Sequence, residues 1–172
     1  MAFISISITK NHPLILGKGG FGRQLADWLS AEGWGEAEFL DDSAPGCVGG
    51  LRDYADPKLL KPGRPAFVAL GDNALRVELL QKLAAAGYDT PVFISDMAAV
   101  SPSAVLEPGC VILPQAYVGA DAHLGVGCII NGGAIVDHDA VLGRGVHVAP
   151  GGIVKAGAEV EALTKVDSGE II

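Results

Sequence analysis

A six-residue repeat constrains the fold of this chain more than any other feature of its sequence. Every sixth residue from Val100 to Val166 is Val, Leu or Ile, in an unbroken series of twelve positions. The residues two places before them are nearly all small, and Pro102, Pro108, Pro114 and Pro150 lie two places after. A hexapeptide period is the signature of a parallel β-helix, in which each short strand turns a corner into the next face. The aliphatic side chain fills the axis, and proline suits a corner because its missing N–H does no harm there.

The first half of the chain has a different pattern, in which short apolar runs alternate with helical stripes. One helix is predicted from about Phe21 to Gly33. A second is predicted from Asn73, as its N-cap, to about Ala86, with Gly87 as its stop. Strands are predicted at Pro13–Gly17, Glu36–Leu40, Ala66–Leu70 and Pro91–Ile94. This order is typical of a small parallel α/β unit.

Aromatic residues mark the boundary between the two halves. Nine of the ten precede residue 95, and only Tyr117 follows it. Basic residues divide in the same way, with nine of the twelve before residue 95. We therefore predict an α/β domain over residues 1–95 and a β-helix domain over residues 96–172.

The composition excludes several classes of function. Asp and Glu outnumber Lys and Arg by 20 to 12, and the net charge of −8 argues against nucleic acid or an anionic membrane as partner. No stretch approaches about 18 uncharged apolar residues, so no membrane span is expected. The first ten residues, MAFISISITK, make a poor signal peptide. The three cysteines lack a CxxC pair and predict neither a disulfide framework nor a zinc site. A cytoplasmic location is the expectation.

A glycine-rich turn follows the first predicted strand. Gly17, Gly19 and Gly22 fit the GxGxxG pattern, and Asp41 follows 19 residues later at the end of the second strand. The pattern admits three interpretations: a dinucleotide site, amides that hold the diphosphate of a sugar nucleotide at a helix N-terminus, and a tight structural turn. NAD requires a larger Rossmann domain than the roughly 80 residues present here, which counts against the first.

Four segments of the chain resemble one known family. They are GKGGFGR (Gly17–Arg23), FLDD (Phe39–Asp42), ALGDNALR (Ala69–Arg76) and IINGGAIVDHDAVLGRGVHVAPG (Ile129–Gly151). Together they are similar to the hexapeptide-repeat sugar acyltransferases, which include sialic acid O-acetyltransferases and UDP-4-amino-sugar N-acetyltransferases. The resemblance implies a Rossmann-like N-terminal domain that holds the sugar nucleotide, followed by a left-handed β-helix with coils of about 18 residues. It also implies a homotrimer that binds acetyl-CoA at its subunit interfaces.

The same resemblance assigns roles to individual residues. A His followed by an acidic residue serves as the base in the family, which maps to His138 and Asp139. The acetyl-CoA side is implied to include Asn131 and His147, and no metal is implied. The implied substrate-binding residues are Gly17, Gly19, Gly20, Gly22, Asp41 and Asp42. His138 and His147 lie nine residues apart, which is one and a half hexapeptides. We therefore expect them on opposite sides of the β-helix, so that they meet only across a trimer interface.

Two further expectations concern packing. Cys110 and Cys128, one coil apart, should stack as buried thiols. Residues one place before the aliphatic series should expose apolar faces of the kind that mark subunit interfaces. These residues include Tyr117, Ile129, Ile135, Val141 and Ile153.

Two functions remain open at this point. The first is transfer of an acetyl group from acetyl-CoA to the amine or hydroxyl of a nucleotide-activated sugar such as a UDP-4-amino-sugar, with His138 as general base. The family usually continues for several coils after the HVAPG-like segment, whereas Gly152–Ile172 supplies barely one more coil. The alternative is therefore a non-catalytic sugar-nucleotide-binding or scaffold protein that has lost coils of the coenzyme cleft.

Overall fold

The computed structural model describes residues 12–59, 61 and 63–172. The N-terminal part consists of β1 (Leu14–Leu16), α1 (Gly20–Ala31), β2 (Glu38–Leu40), a 3₁₀ turn (Asp53–Ala55), β3 (Ala66–Val68) and α2 (Asn73–Ala86). The strands form a parallel sheet in the order β2–β1–β3. This confirms the predicted α/β unit. Residues 1–10, considered above as a signal peptide, lie outside the described residues.

Local sequence explains where the helices begin and end. α1 starts at the glycine-rich turn and buries Leu25 and Leu29. α2 is capped by Asp72, whose Oδ1 accepts a hydrogen bond from the amide of Leu75 at 2.9 Å. The predicted N-cap, Asn73, is therefore the first helical residue instead. Gly87 ends α2 in the left-handed conformation, with φ of +95°.

The C-terminal part is a three-sided parallel β-helix built from two-residue strands. In chain order they are β4 (Phe93–Ile94), β5 (Ala99–Val100), β6 (Val105–Leu106), β7 (Val111–Ile112), β8 (Tyr117–Val118), β9 (His123–Leu124), β10 (Ile129–Ile130), β11 (Ile135–Val136), β12 (Val141–Leu142), β13 (His147–Val148), β14 (Ile153–Val154), β15 (Glu159–Val160) and β16 (Lys165–Val166). Sheet I contains β4, β7, β10, β13 and β16; sheet II contains β5, β8, β11 and β14; sheet III contains β6, β9, β12 and β15. Val111 pairs with Ile129, which sets the coil at 18 residues and confirms the fold predicted from the repeat.

One predicted strand lies in the other domain. The expectation that Pro91–Ile94 belongs to the N-terminal sheet is wrong, because Phe93 and Ile94 pair with Val111 and Ile112 of sheet I. A short apolar run looks the same in either kind of sheet, so periodicity within the run does not separate them. The position of this run relative to the repeat does separate the two kinds of sheet, since Ile94 lies six residues before Val100.

The corners of the β-helix repeat as regularly as its core. One residue with a left-handed backbone recurs at every sixth position, three places after the aliphatic residue: Gly109, Gln115, Asp121, Gly127, Gly133, Asp139, Gly145, Gly151, Gly157, Leu163 and Gly169. Glycine is common there because a Cβ is unfavourable at positive φ. The inward aliphatic residues form one core cluster along the axis. Cys110 and Cys128 lie fully buried in this cluster, as predicted.

The outer face of sheet I packs against the N-terminal domain. Phe93, Val111 and Leu113 share a buried cluster with Ile15 of β1, Leu25 and Leu29 of α1, Phe67 of β3 and Ala69 just after it. Ile129, also on sheet I, is only 1% exposed. The expectation that Ile129 exposes an apolar face is therefore wrong, because its own chain covers it. Tyr117 and Val141, on sheets II and III, are each 43% exposed, as predicted.

Helix α2 runs along one corner of the β-helix and meets it coil by coil. Leu80 lies against Gly109 and Gly127, and Val77 lies against Gly145. The Nδ2 group of Asn73 donates to the carbonyl of Leu163 at 2.8 Å. Successive turns of the helix thus contact successive coils. The first residues of α2 contact the later coils of the chain, and its later residues contact the earlier coils.

Arg76 joins the two domains from the middle of this contact. Its side chain is fully buried. Nε donates to the carbonyl of Gly127 at 2.8 Å, one terminal nitrogen to that of Leu70 at 2.9 Å, and the other to that of Gly145 at 2.7 Å. Burial lowers the pKa of Arg76 to about 10, so the guanidinium remains charged at neutral pH. Within the described ranges, no helix is long and apolar enough to cross a bilayer.

Candidate functional site

His138 and Asp139 form a hydrogen-bonded pair at the corner between sheets II and III. The Nδ1 atom of His138 lies 2.7 Å from Oδ2 of Asp139. The backbone amide of His138 donates to Oδ1 of Asp137 at 2.8 Å, which fixes the start of the turn. Both side chains of the pair are well exposed, at 59% and 63%. The Nε2 atom of His138 therefore faces outward from a rigid corner, where a ligand can reach it.

The corner geometry explains how two adjacent residues make this contact. His138 occupies the place two after the aliphatic residue, which is proline in several other hexapeptides. Asp139 occupies the left-handed position, with φ of +58°. Aspartate tolerates this conformation better than most residues other than glycine. We infer that the left-handed turn directs the carboxylate back toward the preceding imidazole.

The electrostatics of the pair favour a basic imidazole. The hydrogen bond that His138 donates to Asp139 and, secondly, the charge of Asp137 raise the pKa of His138 above its ordinary value. A carboxylate on Nδ1 also fixes the neutral tautomer with the proton on that nitrogen, as it does in catalytic triads. The lone pair of Nε2 is then available to accept a proton.

Asn131 and His147 also lie together, on neighbouring coils at sheet I. The Nδ2 atom of Asn131 is 3.5 Å from Nε2 of His147. Oδ1 of Asn131 accepts a hydrogen bond from the amide of Gly132 at 2.8 Å, which fixes the orientation of the side-chain amide. Burial, followed by the charges of Arg76 and Lys165, lowers the pKa of His147 to about 4. This second histidine is thus neutral at physiological pH.

The two histidines lie on opposite sides of the β-helix. His147 belongs to β13 of sheet I, whereas His138 follows β11 and precedes β12, at the corner where sheets II and III meet. That corner is opposite sheet I in a three-sided coil. The expectation that the pair can meet only across subunits stays a prediction, since one chain is described.

The glycines of the glycine-rich turn have two different structural environments. Gly17 has φ of +99°, and a Cβ on Gly22 would lie 1.9 Å from the carbonyl oxygen of Gly17. These two glycines are thus required by the packing of the turn itself. In contrast, a Cβ added to Gly19 or Gly20 would meet no described atom within 4 Å. Gly19 caps α1 without a side-chain hydrogen bond, so the amides of the first helical turn face an open surface.

Asp41 and Asp42 organise the loop after β2. Oδ2 of Asp41 accepts from the amide of Lys18 at 2.8 Å, and Oδ1 accepts from the amides of Ser43 and Ala44, each at 2.9 Å. These bonds, that of Lys18 first, hold the pKa of Asp41 far below its usual range. Asp42 accepts from the amide of Leu51 at 2.8 Å. Asp41 thus contacts the glycine-rich turn through Lys18, whereas Asp42 contacts the later part of the loop. That the two carboxylates lie near a nucleotide stays a prediction.

Lys18 is a residue of this region that the sequence pattern did not single out. Its Nζ atom donates to the carbonyls of Pro45 and Gly46, at 2.8 and 3.1 Å, and lies 5.3 Å from the ring centre of Phe39. The sequence signal that could have identified Lys18 is its position between Gly17 and Gly19 of the glycine motif. No cluster of three or more His, Cys, Asp or Glu side chains suited to a metal occurs within the described part of the chain.

Comparisons with known proteins show which families of chains this one is similar to. The family model described as the PglD N-terminal domain matches residues 14–83. A search of curated protein sequences gave no significant match. Among solved structures, the acetyltransferase domain of PglB from Neisseria gonorrhoeae, in complex with acetyl coenzyme A, is 33% identical, with a TM-score of 0.76. The match covers 94% of this chain and 87% of that one.

A second similar structure is PerB from Caulobacter crescentus, in complex with CoA and GDP-perosamine. It is 29% identical, with a TM-score of 0.82, and the match covers 94% of this chain and 88% of that one. WeeI from Acinetobacter baumannii, at 16% identity and a TM-score of 0.59, shares the fold. An α/β domain followed by a hexapeptide β-helix defines a class of two-domain acyltransferases. Within it, this chain belongs to the hexapeptide-repeat sugar acyltransferase family.

Proposed function

We propose that the protein transfers an acetyl group from acetyl-CoA to the amine or hydroxyl of a nucleotide-activated sugar, with His138 as general base. The observation that carries this proposal is the His138–Asp139 pair, whose Nδ1 to Oδ2 distance is 2.7 Å. Membership of a sugar acyltransferase family supports it. The PglB domain in complex with acetyl coenzyme A and PerB in complex with CoA and GDP-perosamine supply the two substrate classes.

The chemistry requires one proton to move twice. The acceptor nitrogen or oxygen attacks the thioester carbonyl and passes its proton to Nε2 of His138, while the carbonyl becomes a tetrahedral oxyanion. The carbon–sulfur bond then breaks, and the imidazolium returns the proton to the departing thiolate. Asp139 stabilises the imidazolium formed between these steps, as the acidic residue of a triad does. A base placed in this way contributes about 10²–10⁴-fold to the rate.

The N-terminal domain would hold the nucleotide sugar. The open amides at Gly19 and Gly20 provide donors and a positive helix end for the diphosphate. Asp41, which accepts from the amide of Lys18 in this turn, and the adjacent Asp42 are proposed to contact or shape the nucleotide pocket. A 4-amino sugar is the preferred acceptor, because a free amine is a better nucleophile than a hydroxyl and needs less help from the base. The complex of PerB with GDP-perosamine supports the same class of acceptor.

Acetyl-CoA would bind on the side of Asn131 and His147. One N–H of the Asn131 side chain faces His147, and the second is free to donate to the thioester carbonyl as negative charge develops there. His138 and His147 lie on opposite sides of one β-helix, so the complete site is proposed to form between subunits of a homotrimer. The exposed Tyr117 and Val141 on sheets II and III supply apolar surface for that contact.

The test compares His138→Ala with the wild type. Thiol release from acetyl-CoA is followed with UDP- and GDP-linked 4-amino sugars as acceptors, and light scattering reports the oligomer. We expect the variant to remain a trimer that binds the nucleotide sugar, with turnover reduced at least about 100-fold. Unchanged turnover in the variant would remove His138 from the mechanism. A wild type that binds nucleotide sugar but neither binds acetyl-CoA nor acetylates any acceptor would favour the scaffold function instead.

A further inference from the structure

Two buried polar atoms have no hydrogen-bond partner among the described residues: Nδ1 of His147 and Oδ1 of Asn73. A buried polar atom without a partner costs about 1–3 kcal/mol, so each such atom calls for an explanation. One of these residues lies on the proposed acetyl-CoA side of the β-helix. The other is the first residue of α2, in the N-terminal domain.

Both residues contact the same backbone carbonyl. The amide of His147 donates to the carbonyl oxygen of Thr164 at 3.0 Å. Nδ2 of Asn73 donates to that oxygen at 3.3 Å and to the carbonyl of Leu163 at 2.8 Å. Asn73 and His147 therefore meet at the carbonyl of Thr164, although they belong to different domains.

The contacts of Asn131 indicate which nitrogen of His147 carries the proton. Since Oδ1 of Asn131 accepts from the amide of Gly132, the group that faces Nε2 of His147 is the Nδ2 amide. A side-chain amide nitrogen only donates, so Nε2 must act as the acceptor. In the neutral ring the proton then resides on Nδ1. Burial first, and then the charges of Arg76 and Lys165, lower the pKa of His147 and keep the ring neutral.

The two unpartnered atoms are complementary, because Nδ1–H is a donor and Oδ1 of Asn73 is an acceptor. We propose that Asn73 is a positioning residue that holds His147 in the Nδ1–H tautomer through one shared buried water molecule. Buried waters make about two to four hydrogen bonds to otherwise unpaired groups. This water would accept from Nδ1–H of His147 and donate to Oδ1 of Asn73, which gives both atoms a partner.

As a consequence, a chain of hydrogen bonds would connect Asn73 of the N-terminal domain to Asn131 on the acetyl-CoA side of the β-helix. Asn73 fixes the proton on Nδ1 of His147, which leaves Nε2 as acceptor for Asn131. This orients the second N–H of Asn131 toward the place where the thioester carbonyl would lie. The consequence for catalysis rests on the proposed function, whereas the tautomer of His147 does not.

A pair of variants separates the acceptor from the rest of the Asn73 side chain. Asn73→Leu and Asn73→Asp both lose the Nδ2 hydrogen bonds to Leu163 and Thr164, but only the aspartate keeps an acceptor toward His147. The full-length chain is labelled with ¹⁵N-histidine, and long-range ¹⁵N–¹H spectra report which ring nitrogen carries the proton. The signals of His147 are assigned by their loss in His147→Gln.

We expect a proton on Nδ1 of His147 in the wild type and in Asn73→Asp, and a mixture of tautomers in Asn73→Leu. For acetyl transfer, kcat should fall about 10-fold in Asn73→Leu, with the KM for the nucleotide sugar unchanged, and by much less in Asn73→Asp. A wild-type proton on Nε2, or the same tautomer in all three proteins, would overturn the inference. So would an equal fall of kcat in both variants. If the wild type acetylates nothing, the proposed function fails, and the tautomer comparison still decides the role of Asn73.

Discussion

The contact between α2 and the β-helix can be tested with two glycines that share one backbone conformation. Gly145 and Gly151 occupy successive corners, with φ of +68° and +67°. A Cβ on Gly145 would lie 2.7 Å from Cγ2 of Val77, 2.9 Å from Cδ2 of Leu163 and 3.2 Å from the carbonyl oxygen of Asn73. A Cβ on Gly151 would meet no described atom within 4 Å. The two alanine substitutions therefore differ in packing and not in backbone strain.

The expected magnitudes follow from these distances. An alanine in the left-handed region costs about 1–2 kcal/mol, and the stiffer unfolded chain returns about 0.4–1 kcal/mol. Gly151→Ala should thus lower the free energy of unfolding by about 1 kcal/mol. Gly145→Ala has the same backbone cost and the same gain from the unfolded chain. It also lowers the free energy of unfolding by a further amount of about 1–3 kcal/mol through overpacking, because α2 must shift.

Urea unfolding at one fixed protein concentration measures the difference, since dissociation of an oligomer would otherwise contribute. We expect a lower midpoint for Gly145→Ala than for Gly151→Ala, at similar slope. In a Val77→Ala background the clash with Cγ2 is absent, so the extra cost at Gly145 should shrink. Equal midpoints for the two glycine variants would refute the packing of α2 against this corner.

Two further predictions concern the catalytic pair and the buried arginine. The base acts only when His138 is neutral, and Asp139 raises the pKa of His138, so kcat/KM should rise with pH through a midpoint above 6.5. Asp139→Asn should move that midpoint to lower pH and reduce the value of kcat/KM at high pH. An unchanged midpoint in this variant would show that Asp139 does not act on the base. Arg76→Met leaves the buried carbonyls of Gly127 and Gly145 without this donor, at about 1–3 kcal/mol each, and should cost at least about 2 kcal/mol in chemical unfolding. Arg144→Met, at an exposed corner, should change stability by no more than about 0.5 kcal/mol, and a similar loss in both would contradict the structural role of Arg76.

The β-helix was predictable because its core requires an aliphatic residue at a regular interval along the sequence. Each inward position must be filled by a branched aliphatic side chain, and the period of six then identifies the fold without any long-range information. The same rule extends one strand before the series that begins at Val100. Ile94 lies one period before Val100, and it pairs with Ile112 in sheet I. The prediction for Pro91–Ile94 is wrong because the composition of a short apolar run does not reveal its register.

The contacts of the candidate site could be predicted only in part. The resemblance indicates His138 with Asp139 at a corner of the repeat and Asp41 after the second strand, and the structure shows the hydrogen bonds that these residues make. Asn131 and His147 lie on consecutive coils, so the 18-residue period brings them close. Asn73 belongs to another domain, and no spacing relates it to His147. Its contacts with Leu163 and Thr164 depend on how α2 docks, which periodicity does not specify.

The match between α2 and the coils also limits how such a chain can change length during evolution. A helix rises about 5.4 Å per turn, close to the spacing of about 4.8 Å between neighbouring strands, so successive turns of α2, at Leu80, Val77 and Asn73, reach successive coils. Inserting or deleting one coil between Gly109 and Leu163 would displace Arg76 from the carbonyls of Gly127 and Gly145. Coils gained or lost beyond β16 would leave these contacts intact. Variation in coil number among relatives should therefore accumulate on the C-terminal side of α2, and sequence drift in the spanned coils should be confined to substitutions.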